Sequence, residues 1–121
     1  MIIFASFFDT NSHVGTVYSI ALTQPSGMDF PRFVPLIPSA DIVWGYKAGR
    51  ISWEEYSTRY LDRLRASEEI VSSLMQDLVG QLLEDHPEGV TFCCWEPDPD
   101  HCHRSLAAGF LQEKGFEIEL R

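Results

Sequence analysis

Ten positions, Glu96-Pro-Asp-Pro-Asp-His-Cys-His-Arg-Ser105, hold carboxylates, two imidazoles, a thiol and a guanidinium. Each type brings its own chemistry. The Cys102 thiol, as thiolate, is a nucleophile or a soft metal ligand. The Arg104 guanidinium offers a two-pronged fork to a phosphate or carboxylate. Glu96 and His103 are candidate proton carriers, if they face one another. With Cys94 just upstream, Cys94, Cys102 and His103 form an alternative donor set for zinc or iron. The spacing argues against the metal, because no Cys-x-x-Cys pair is present. Adjacent side chains on a helix project about 100° apart. Cys102 and His103 can therefore share one ion only on a non-helical turn. A cysteine-phosphatase loop is excluded, since His103 alone separates Cys102 from Arg104. The bland alternative is a fold-locking turn in which Arg104 pairs with a carboxylate and the cysteines are core. His101 reads as a solvated loop residue.

Such a loop needs a scaffold. Residues 2–8, IIFASFF, read as a buried strand, and 16–22, TVYSIAL, as a second. Four prolines, at 25, 31, 35 and 38, make 23–38 an irregular excursion. Ser39 caps a short helix that Gly49 closes. Ser52-Trp-Glu-Glu55 is a capping box. The helix after it carries Trp53, Tyr56, Tyr60 and Leu64 on one stripe, read as core in preference to a base-stacking platform. Ser67 is read as the start of the next helix, with Ile70, Val71, Leu74, Leu78 and Leu82 as its apolar face. VTFCCWE (90–96) is apolar on both faces and so central. Cys93 and Cys94 then point to opposite faces, and at least one is core. A helix starts near Asp98–Asp100, burying Leu106, Ala107, Phe110 and Leu111, and Gly115 ends it. FEIEL (116–120) alternates as an edge strand. Strand–helix–strand at the end predicts a parallel crossover. The whole predicts one α/β domain over 1–121, a small, mostly parallel, Rossmann-like sheet flanked by helices.

In such sheets ligands sit beyond the carboxyl ends of strands. The 96–105 loop leaves a strand end and enters a helix N-terminus, where free N–H groups favour anions. Ser6 and Ser19, polar in apolar strands, either point at the same pocket or bond to backbone. A net charge of −9 speaks against an extended nucleic-acid face. The first twelve residues lack a basic n-region, and no apolar run reaches membrane-span length. The expectation is a cytoplasmic protein whose three cysteines are buried, metal-bound or reactive in preference to paired.

The motifs together resemble the DUF488 family, a domain of unknown function, almost end to end. The resemblance rests on Cys94-Trp95-Glu96 at a strand end and Cys102-His103-Arg104 opening a helix. It rests also on LIPSADIV, on YKAGRISWEEYSTRYLDRL and on the opening Phe4-Ala5-Ser6-Phe7. It implies this fold and this site, and names no reaction. One departure stands out: the arginine that often ends the family's second strand is absent from Tyr18-Ser19-Ile20-Ala21-Leu22.

The resulting expectation is a pocket at the ends of the first and third strands for a small anionic ligand, a nucleotide or other phosphate-bearing molecule. Glu96, Cys102, His103 and Arg104 are the candidate catalytic residues, and Ser6, Cys94 and Arg104 the ligand contacts. No cofactor is favoured, and the zinc or iron site on Cys94, Cys102 and His103 is the alternative.

Overall fold

The computed structural model describes residues 1–71 and 73–121. Four parallel strands, β1 (Ile2–Ser6), β2 (Thr16–Ser19), β3 (Val90–Cys94) and β4 (Ile118–Leu120), form one sheet in the order β2-β3-β1-β4. Four helices flank it: α1 (Ala40–Lys47), α2 (Trp53–Ile70), α3 (Leu74–Asp85) and α4 (His103–Glu113). This is the α/β fold read from the sequence. Every residue of β1 and β3 is buried, as central strands without polar alternation should be. The edge strands β2 and β4 are only partly covered.

β1 pairs with β3 from Ile2↔Val90 to Ser6↔Cys94. The ladder runs one step further, since the Phe7 amide donates to the Cys94 carbonyl and the Ile20 amide to the Cys93 carbonyl. The end of β3 is therefore held from both sides. A short segment, 7–15, carries the chain from β1 across β3 to β2 with one 3-10 turn, Thr10–Ser12. It is fastened by Thr91, buried in mid-strand, whose hydroxyl accepts from the Val14 amide and donates to the Val14 carbonyl, both at 2.7 Å. Gly15 then passes directly against Gly89. It has φ +64°, and a Cβ there would collide with the Gly89 carbonyl.

The N-cap half of the capping box forms: Ser52 Oγ accepts from the Glu55 amide at 3.1 Å, while the Glu55 carboxylate lies 3.6 Å from Arg59. The next boundary differs from the sequence reading. Ser67 does not start a helix. Its hydroxyl donates back to the Arg63 carbonyl, and α2 runs on to Ile70. Glu68 on that extra turn meets Lys114 at 2.6 Å, tying α2 to the end of α4. The apolar face assigned to α3 is also corrected. Ile70, Val71 and Leu78 are exposed, and the helix buries Met75 and Val79 instead. Predicted β1, β2 and β3 were each too long, because the chain turns once the ladder ends. No described helix is long and apolar enough to cross a membrane.

Candidate functional site

Two prolines, Pro97 and Pro99, keep the segment after β3 out of a helix. Asp98 Oδ1 accepts from the Asp100 amide, making a tight turn, and a single 3-10 turn covers Pro99–His101. Cys102 is the N-cap of α4, with extended backbone (φ −123°, ψ 140°). That is the non-helical turn that neighbouring Cys102 and His103 require in order to converge. Cys102 Sγ lies 3.9 Å from His103 Nδ1. Cys94 arrives from the end of β3, and one donor atom from each of Cys94, Cys102 and His103 lies within 4.8 Å of the others. All three residues are buried.

His103 Nε2 is 2.6 Å from the Ile20 carbonyl. A carbonyl only accepts, so Nε2 carries the hydrogen and Nδ1 presents its lone pair to the sulfurs. Burial pushes the His103 pKa down to about 4, opposed by the Ile20 bond, and the ring is neutral at neutral pH. In the structure Cys94 and Cys102 are joined as a disulfide, in contrast to the unpaired cysteines expected, and their Cα atoms are 7.6 Å apart. Disulfide Cα pairs usually span roughly 4.4–6.8 Å.

Arg104 is fully buried. One terminal nitrogen donates to Cys94 Sγ at 3.2 Å and to the Glu96 carbonyl, the other to the Pro97 carbonyl at 2.9 Å, and Nε to the Arg121 carbonyl at 3.2 Å. Its partners are thus backbone carbonyls and a sulfur. Among the described residues no side-chain carboxylate receives it. Burial lowers its pKa and the Glu96 carboxylate opposes this. Cys93 faces the other way, 3.3 Å from His13 Nε2, with its thiol pushed up by burial to about 12. It is a protonated core residue.

A cleft of about 190 Å³ opens beside the cluster, lined by Cys94, Cys102, His103 and Glu96 among others. Residues 21–23 and 94–96 contribute, so it lies at the ends of β2 and β3. The expected place was β1 and β3, but β1 sits on the far side of β3. Ser6 does not line the cleft: its hydroxyl lies between the Trp95 carbonyl and the Phe8 amide. Ser19 likewise accepts from the Ala21 amide. Arg104 is also outside the lining, whereas His101 is in it, edge-on to Trp53 at 5.6 Å.

Sequence reasoning missed the cleft's aromatic side. Trp44, Tyr46, Trp53, Tyr56 and Trp95 all line it, as does Lys47. The stripe read as core is core at Tyr56, Tyr60 and Leu64, Tyr60 donating to the Leu36 carbonyl at 2.7 Å, and its Trp53 and Tyr56 also line the cleft. A usable signal was present, since the chain has only three tryptophans and one sits between Cys94 and Glu96.

A family model described as DUF488-N3a, the active DUF488-N3 subclade, matches residues 21–115. The chain belongs to the DUF488 family. The matched span omits β1, β2 and β4 but contains every residue that lines the cleft of this DUF488 chain. Just past the end of β2, Ala21 and Leu22 line the wall. No curated protein and no solved structure matches the chain.

Proposed function

We propose that this DUF488 domain is an enzyme that holds a divalent metal, zinc or ferrous iron, on Cys94, Cys102 and His103, and acts on a small anionic molecule in the adjoining cleft. One observation carries the reading: two cysteine sulfurs, which serve as ligands once their bond is reduced, and an imidazole with its lone pair turned toward them converge at one wall of a cleft. Three protein ligands with a fourth position facing a cleft are the pattern of a catalytic metal, which polarises an oxygen or activates water. Metal-bound histidines commonly donate their other N–H to a backbone carbonyl, as His103 does to Ile20. The description of the matched subclade as active agrees with a retained reaction site.

In this reading Cys102 is a ligand and no longer a nucleophile. Glu96, on the cleft wall, remains the candidate proton carrier. Arg104 becomes a positioning residue: it fixes the 96–97 backbone and donates to Cys94 Sγ, which favours the thiolate.

The test is reduced, chelator-stripped protein reloaded with zinc and measured by elemental mass spectrometry. One ion per chain is expected. Cys94→Ser and Cys102→Ser should lose it, and His103→Asn should weaken it. A cobalt-loaded sample should show thiolate charge-transfer absorption. Sub-stoichiometric zinc in protein with all thiols reduced, or zinc unaffected by the three variants, would overturn the proposal.

A further inference from the structure

All three tryptophans of the chain line one cleft, together with Tyr46 and Tyr56. A ring wall of this density is more than core packing spilling outward, because Trp44 is 51% exposed. The wall is also set before any ligand arrives. Trp53 stacks on Tyr56 at 5.0 Å and 18°, and Tyr46 packs on both at 5.5 and 5.7 Å. Trp95 is fixed by its indole N–H, which donates to the Thr23 carbonyl at 2.8 Å. Fixed aromatic faces of this kind bind flat, polarisable rings.

Size and polarity narrow the occupant. The cavity, at about 190 Å³, is smaller than the roughly 300–1,000 Å³ typical of drug-sized ligands. It suits one ring system inside, with the rest of a ligand at the mouth beside the exposed Lys47. Glu96, His101 and the Cys-Cys-His group line the same cleft and ask for a ring with hydrogen-bonding edges. Lys47 is the one lysine or arginine among the described lining residues, on a protein of net charge −9. Arg104 is already committed to protein partners. The anion contact therefore falls to Lys47.

We infer that the cleft binds a planar heteroaromatic ring carrying an anionic group, in chemical class a free nucleoside monophosphate. The ring lies against the tryptophan and tyrosine wall, and Lys47 meets the anion. This deepens the metal-site reading for the polar wall only; the aromatic wall stands apart from it.

The experiment is a titration of the zinc-loaded full chain with uridine monophosphate, uridine and ribose 5-phosphate, read by calorimetry and tryptophan fluorescence. Uridine monophosphate should bind at least tenfold more tightly than ribose 5-phosphate, and should perturb the fluorescence. Trp44→Ala should weaken it about tenfold and leave ribose 5-phosphate unchanged. Lys47→Ala should abolish the preference for the monophosphate over uridine. Both side chains are exposed, and unchanged melting temperatures will show that the fold survives. Equal binding of ribose 5-phosphate, indifference to Trp44→Ala, or tighter binding of a thymidine oligonucleotide would overturn the inference. Ring preference in a protein that takes no metal would keep this inference and remove the metal reading. Stoichiometric zinc without ring preference would do the reverse.

Discussion

Replacing Arg104 with alanine should unfold this domain more readily before it alters anything else. The side chain is fully buried and makes four donor contacts, three to backbone carbonyls and one to Cys94 Sγ. Hydrogen bonds from a charged donor contribute about 1.5–3 kcal/mol each. Glu96, Pro97 and Arg121 lie at or near the surface, so water will re-solvate part of what the variant leaves unpaired. The expected cost is about 3–4 kcal/mol, a large share of the roughly 5–15 kcal/mol that holds a domain together. At this chain length it corresponds to a fall in melting temperature of about 12–16 °C. Urea unfolding followed by tryptophan fluorescence, in reducing buffer, measures it. Arg104→Lys keeps the charge without the planar fork, so it should recover less than half of the loss. A loss below about 1 kcal/mol for alanine, or full recovery with lysine, would refute the assignment of Arg104 as the anchor of the 96–97 loop. Unchanged stability with loss of anion binding would return it to the role of clamp.

Gly15→Ala should be more damaging than an ordinary loop substitution, by about 2 kcal/mol or more, because it combines positive φ with a collision against the Gly89 carbonyl; a denaturation midpoint equal to wild type would contradict the close approach. His103 sets an acid limb. Its folded pKa of about 4 lies below the ordinary 6.5 because burial disfavours imidazolium. The unfolded chain therefore binds the proton first, and stability in chelated protein should fall between pH 6.5 and 4 by about 3 kcal/mol, with no contribution above that window. His103→Gln should flatten that slope, and a slope identical to wild type would exclude His103 as its source.

The sheet was legible because IIFAS and VTFCC admit no exposed face, and a central parallel pair is the arrangement that hides both sides. The Ser52 N-cap of α2 was legible because it acts locally. Ser67 misled for the converse reason. It is a good cap by type, but the pairing of Glu68 with Lys114, 46 positions away, lies on a turn that continues the helix past it. The Cys-His-Arg turn could be found from residue types, whereas the direction of Arg104 could not. Carbonyl partners leave no mark on a sequence. Trp44 and Trp53 line one cleft only because the 48–52 turn folds α1 back on α2, and helical spacing gives Trp53 and Tyr60 the same apparent role.

The crossing of 7–15 over β3 has a consequence for how the chain is made. β1 and β2 are adjacent in sequence but never pair, and each waits for β3, with Ile2 meeting Val90. A ribosome adds roughly 5–20 residues per second. For several seconds, then, a nascent chain holds IIFASFF with no strand to join and its apolar faces open to water. Sheet formation becomes a late, all-at-once event with high contact order. In that interval holdase chaperones would find their target in the first strand.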